Sequence, residues 1–193
     1  DAESILIPNL IKKVLGISLD ELGISLVNIG STGFENVAQI FHNDRIKRKC
    51  AIITDLDSAI ANTTISATDS ERKKKYKKKM LGSQEKGLAR RTKLDEFTSS
   101  NIWINVFYAI HTFEVDFIMA ENINEVIKLC DVVYTEPTTL ETSKSDIQSG
   151  DVSLYGKRIL TMANNQGKGW FSILLSGELT FKTKIPKYIL DSL

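Results

Sequence analysis

Apolar positions recur at helical spacing near the start of the chain, where Ile7, Leu10, Ile11 and Val14 lie three or four residues apart. Pro8 falls in the first turns of that helix, where a missing N–H is tolerated, and Gly16 is its stop. Residues 24–29 predict a strand, followed by a turn bracketed by Gly30 and Gly33. Residues 36–42 fit a short helix. The run Lys49-Cys50-Ala51-Ile52-Ile53-Thr54 is nearly continuous in apolar residues, the pattern of a strand buried on both faces of a parallel sheet, and it stops at Asp55-Leu56-Asp57. Residues 61–95 break this rhythm as an insert, either a basic helix or a mobile loop. Residues 102–110 predict a third strand, and residues 113–130 return to helical spacing through Phe117, Ile118, Ile123, Val126 and Ile127. Residues 136–151 are polar and rich in Thr and Ser, which predicts a flexible loop, and residues 152–193 predict helices interrupted at Gly167-Lys168-Gly169. Strands alternating with helices imply an α/β domain with a mainly parallel sheet and a helical C-terminal extension, residues 1–135 forming the core.

Composition narrows the picture. The 193 residues suit one domain, or one domain with a small appendage, and 42% hydrophobic against 25% charged residues is enough to build a packed core. No apolar run reaches the roughly 18 residues of a membrane span, and no signal-peptide pattern opens the sequence. Cys50 and Cys130 are too few for a disulfide scaffold or a zinc cluster, so a reducing cytoplasm is the expected compartment and small core positions their expected role. The net charge of +1 conceals an asymmetry: residues 71–93 hold eleven Lys/Arg and two acids, a local +9, while the rest of the chain is acidic. One segment is suited to an anionic partner, and the acidic remainder to cations.

Asp55 and Asp57 are the sharpest local signal. An apolar strand ending in Asp-x-Asp places two carboxylates at the carboxyl edge of a parallel sheet, where α/β folds collect ligands, and both can turn toward one hard cation. Asp is equally a helix N-cap, so one of the pair could cap and the other be solvated. Glu114 and Asp116 lie just beyond the third strand, and Glu3 at the start of the first helix. Acids brought to one rim repel one another, and a divalent ion relieves that repulsion.

Five segments carry a resemblance. Asp1-Ala2-Glu3-Ser4-Ile5-Leu6-Ile7-Pro8, Gly23-Ile24-Ser25-Leu26-Val27-Asn28-Ile29-Gly30, Ile52-Ile53-Thr54-Asp55-Leu56-Asp57, Thr112-Phe113-Glu114-Val115-Asp116 and Gly167-Lys168-Gly169-Trp170-Phe171 resemble, in order and spacing, the Toprim domain of the OLD (overcoming lysogenization defect) family nucleases. The resemblance implies a Rossmann-like Toprim fold and a DNA endonuclease or nickase using two Mg²⁺ or Mn²⁺ ions. It makes Glu3, Asp55, Asp57 and Glu114 metal ligands, with Asp116 a weaker candidate, and sets Lys168 against the scissile phosphate, so that Lys168, Asp55 and Glu3 would carry the catalysis. It further implies an ATPase domain upstream in the same polypeptide, homo-oligomers, and service in anti-phage defence of the Gabija kind. The family's first Glu would fall two residues before Asp1, which implies a fragment of a longer protein. A non-catalytic Toprim module that grips nucleic acid or a protein is the alternative.

The basic insert is the expected DNA contact, through Lys73, Lys74, Lys75, Lys77, Lys78, Lys79, Arg90 and Arg91, binding the phosphate backbone without reading bases. A solvated segment without a partner is the other reading of the same charges. His42 and His111 read as structural, His111 with the option of supporting the acids, and Trp103, Phe107, Trp170 and Phe171 read as core.

Overall fold

The computed structural model describes residues 2–30 and 32–193; Asp1, the first residue of the resemblance's opening segment, and Ser31 lie outside the described residues. The chain divides into two compact units, residues 1–30 with 113–187 and residues 31–112 with 188–193.

The first unit is helical. Helix α1 (Ala2–Leu15) buries Leu6, Ile7, Leu10 and Ile11, one stripe of a 3.6-residue repeat, and packs on α8 (Lys168–Glu178). It ends at Gly16, whose φ of 72° is the left-handed cap conformation and whose N–H donates to the Lys12 carbonyl at 3.1 Å. Residues 24–29 form no strand: none of them is buried, Val27 is 66% exposed, and no partner strand runs beside them among the described residues. An alternating segment without a ladder partner leaves its backbone groups to water, so the apolar pattern alone did not suffice.

The span expected to be one helix is two, α4 (Phe113–Met119) and α5 (Ile123–Val133), separated at Ala120-Glu121-Asn122. Asn122 is buried there and donates to the Phe117 and Lys184 carbonyls at 3.0 and 2.8 Å. Residues 136–151 are mostly helix, not loop. Helix α6 (Pro137–Gln148) begins with proline at its first position, and the Glu136 carboxylate accepts from the N–H groups of Thr138 and Thr139 at 2.9 and 2.6 Å. Lys144 pairs with Asp131 at 2.5 Å, and Arg158 on α7 (Val152–Gln166) with Asp146 at 2.5 Å, which ties α6 to both neighbours. Among the predicted core aromatics Phe171 is fully buried, whereas Trp170 is exposed.

The second unit is a βαβ arrangement preceded by α2 (Phe34–Ala38). Strand β1 (Cys50–Asp55) and strand β2 (Ile104–Ala109) run parallel, Cys50 opposite Ile104 and Asp55 opposite Ala109, with the 28-residue helix α3 (Glu71–Thr98) between them. The basic insert is thus an ordered helix, with Ser70 accepting from the Lys73 N–H at its N-terminus. Ala38, Ile52, Leu94 and Ile104 form the core, flanked by Phe34, Phe41, Phe97 and Tyr108. The expectation that β1 is buried on both faces is not met: Ile52 is buried and its neighbour Ala51 is exposed, as a two-stranded sheet packed on one helix requires. No described helix is long and apolar enough to cross a membrane.

Candidate functional site

Strand β1 delivers Asp55 as its last residue, and the chain then turns through Leu56, Asp57 and Ser58. Backbone bonds from the end of β2 fasten this turn. The Leu56 N–H donates to the Ala109 carbonyl at 2.9 Å, Asp57 N–H to His111 at 3.2 Å and Ser58 N–H to Ile110 at 3.1 Å. His111, itself buried, donates from Nδ1 to the Ser58 carbonyl at 2.7 Å. Asp57 adopts φ = 53°, a left-handed conformation that costs a non-glycine residue about 1–2 kcal/mol and that Asp tolerates better than most. No helix starts at either acid, so neither is an N-cap.

Helix α3 lies against the opposite side of this turn. Gly87 approaches so closely that a Cβ there would sit 1.9 Å from the Leu56 carbonyl oxygen. One turn earlier Gln84 accepts from the Ala59 N–H at 3.0 Å. One turn later Arg90 Nη2 donates to the Asp55 carbonyl and, at 3.2 Å, to Asp57 Oδ2. Gln84 and Gly87 were not singled out from the sequence; a glycine inside an otherwise Lys/Arg-rich helix is the signal that could have found them.

In the helical unit, Glu114 and Asp116 lie in the first turn of α4, and both are buried. Glu114 is 1% exposed, and neither of its carboxylate oxygens has a hydrogen-bond partner among the described residues. The Lys168 ammonium lies 3.3 Å from its Oε1. Lys168 opens α8 directly after Gly167, whose φ of 81° makes the sharp entry that glycine permits. Glu3 sits half-buried in the first turn of α1. Among the described residues no group of three or more His, Cys, Asp and Glu is gathered to hold a metal ion.

The cations of α3 sort into two sets. Lys73 and Lys77 reach back to buried Asp69, at 3.0 and 2.6 Å, and Lys77 also donates to the Thr64 carbonyl at 2.6 Å. The Lys77 ammonium, the Ser66 N–H and Lys73 together hold the Asp69 carboxyl well below the usual carboxylate range. Lys74 pairs with Glu71, Arg90 with Asp57, and Arg91 with Asp95 while lying over the Tyr108 ring. Lys75, Lys78 and Lys79 are exposed and have no partner among the described residues.

Residues 1–57 match the family model described as overcoming lysogenization defect protein-like, TOPRIM domain. That first stretch of the chain is similar to an OLD-like Toprim domain. The fold of the chain is that of solved OLD C-terminal regions. That of Burkholderia pseudomallei superposes with a TM-score of 0.67 at 23% identity, covering 100% of this chain and 90% of the other. That of Xanthomonas campestris pv. campestris superposes at 0.58 with 20% identity, covering 100% and 88%. No curated protein matches the chain.

The matched stretch ends at Asp57, so it takes in Glu3 and the acids of the turn. Carboxylate oxygens are the donor type a hard divalent ion takes, and both buried Glu114 oxygens lack a hydrogen-bond partner among the described residues, with the Lys168 ammonium beside one of them.

Proposed function

We propose that this Toprim domain is the nuclease part of a divalent-metal-dependent DNA endonuclease or nickase, hydrolysing phosphodiester bonds with two Mg²⁺ or Mn²⁺ ions. The observation that carries the reading is the acidic turn: a parallel strand ends in Asp55-Leu56-Asp57, within the stretch matched to the OLD-like Toprim family, and backbone bonds from the end of β2 hold the turn in place.

Asp55 and Asp57 are the groups that would hold an ion in the βαβ unit, and Glu3 and Glu114 those that would do so in the helical unit. The chemistry such ions supply when bound is polarisation of a phosphate and activation of water at neutral pH. Lys168 supplies a positive charge against the extra negative charge of the transition state, from a position where Gly167 and Gly169 leave the backbone open to a close approach. Lys75, Lys78 and Lys79 face outward from α3 and engage the phosphate backbone of DNA without reading its bases. The resemblance adds an ATPase upstream in the same polypeptide, homo-oligomeric assembly and a place in phage defence.

A second reading, a module that grips nucleic acid without cutting it, is favoured by the Asp57 carboxylate being already engaged by Arg90. Incubating supercoiled plasmid with the protein and Mn²⁺ or Mg²⁺ separates the two. Nicked or linear product that disappears with EDTA and in Asp55→Ala supports the nuclease. Retained DNA binding with no product under either ion leaves the gripping module.

A further inference from the structure

We infer that Arg90 is a positioning residue for the acidic turn, the side chain through which α3 sets the direction of Asp57. The inference rests on reading Asp55 and Asp57 as the groups that hold an ion.

The bonds from the end of β2 secure the N–H groups of Leu56, Asp57 and Ser58 and, through His111, the Ser58 carbonyl. The Asp55 carbonyl and the Asp57 carboxylate face α3, and Arg90 Nη2 donates to both, so one nitrogen spans the residues on either side of Leu56. Gln84, Gly87 and Arg90 follow one another at three-residue spacing and so share one face of α3, against the turn. Close backbone contact at Gly87 removes any freedom for the helix to slide, which fixes where the guanidinium must lie.

Two observations point to function rather than plain stability. Asp57 is held in a left-handed conformation, a strain that persists only where its surroundings over-determine it and that gathers at working sites. Arg90 also leaves its buried Nε–H without a hydrogen-bond partner among the described residues, an unmet donor that marks the pair as more than simple packing. The sequence reading grouped Arg90 with the DNA-contacting cations; its side chain is only 17% exposed and is committed to the turn.

The test is amide hydrogen exchange on the full chain without added metal, with Arg90→Gln and Arg90→Lys compared to the parent, alongside plasmid cleavage. Arg90→Gln is expected to speed exchange at Leu56, Asp57 and Ser58 at least tenfold while the Ile52 and Ile53 amides of β1 keep their rates. Its kcat should fall tenfold or more with the KM for DNA unchanged, and Arg90→Lys should recover part of both effects. Unchanged exchange at the three turn amides overturns the inference. So does a rise shared by all strand amides, which marks a residue that merely holds the fold. A loss of DNA affinity without a change in exchange returns Arg90 to the DNA-contacting set and overturns it as well. Absence of cleavage in the parent protein defeats the nuclease reading alone, because the exchange measurement does not depend on it.

Discussion

The Lys168 ammonium stands 3.3 Å from Oε1 of Glu114, a carboxylate only 1% exposed with no hydrogen bond to either oxygen among the described residues. A buried carboxylate needs a cation, and Lys168 is the one paired with it in the helical unit. Removing one partner of a fully buried pair costs about 3–5 kcal/mol. Lys168 is 49% exposed, so water screens its side of the pair and the cost of Lys168→Ala is expected at about 1–2 kcal/mol. Urea unfolding checks this, and Glu114→Gln in the Lys168→Ala background should return most of the lost stability. A double variant as unstable as Lys168→Ala alone refutes the pairing. Cleavage should collapse in Lys168→Ala with DNA binding retained, which a separate binding assay measures.

Two glycines of α3 make opposite predictions from the same substitution. A Cβ at Gly87 would meet the Leu56 carbonyl oxygen at 1.9 Å, whereas one at Gly82 meets nothing within 4 Å. Alanine is favoured over glycine inside a helix by about 1 kcal/mol. Gly82→Ala is therefore expected to stabilise by up to about 1 kcal/mol. Gly87→Ala is expected to lose about 1–3 kcal/mol net, because helix backbone and turn backbone must move apart. Denaturant midpoints of the two variants decide it, and a stabilised Gly87→Ala would mean that α3 does not lie against Leu56 in solution.

These contacts show which features were legible beforehand. Ile52 and Ile53 running into Asp55-Leu56-Asp57 marked a strand and its acidic end, because apolar burial and the abrupt change of polarity are both local. The break expected at Gly167-Lys168-Gly169 is there but shorter: Gly167 alone separates α7 from α8, and Lys168 and Gly169 belong to α8. Helix α6 escaped notice because its inward stripe is thin, with buried Ser143 and Ile147, and because its ends depend on Glu136 and on ion pairs to Asp131 and Arg158. Residues 24–29 misled in the other direction, since alternation says nothing about whether a neighbouring strand exists. The division of the α3 cations was hidden as well: whether Lys75 or Lys77 faces Asp69 depends on where residues 61–70 fold back, and sequence spacing does not contain that.

That division changes the expected DNA contact. Of the lysines expected at DNA, Lys75, Lys78 and Lys79 are exposed and without a partner among the described residues, whereas Lys73 and Lys77 are occupied with Asp69. Three phosphate contacts give a log–log salt dependence of about −3 from this segment. Glu substitutions at Lys75, Lys78 and Lys79 should weaken DNA binding and flatten the slope by about that amount, measured by fluorescence anisotropy from 50 to 200 mM salt. Removing Lys73 and Lys77 should leave the slope nearly intact and loosen the start of α3 instead. Equal slopes for the parent and the triple variant would remove α3 from the DNA interface.

Acid should loosen the start of α3 through Asp69. Lys77, the Ser66 N–H and Lys73 hold its carboxyl below the ordinary value, which is about 3.9 in an unfolded chain. A carboxyl lowered in the folded state contributes its stability in full above the unfolded pKa and loses it as pH falls toward the depressed folded value. The contribution is therefore complete at neutral pH and declines progressively below about pH 4. Backbone exchange at Lys73 and Lys74, whose N–H groups bond to Ser70 at the start of the helix, is expected to rise on acidification once corrected for intrinsic rates. In Lys77→Met the rise should shrink sharply, since the strongest partner of Asp69 is gone. A pH response that is the same with and without Lys77 would show that the Asp69 pair does not anchor this helix.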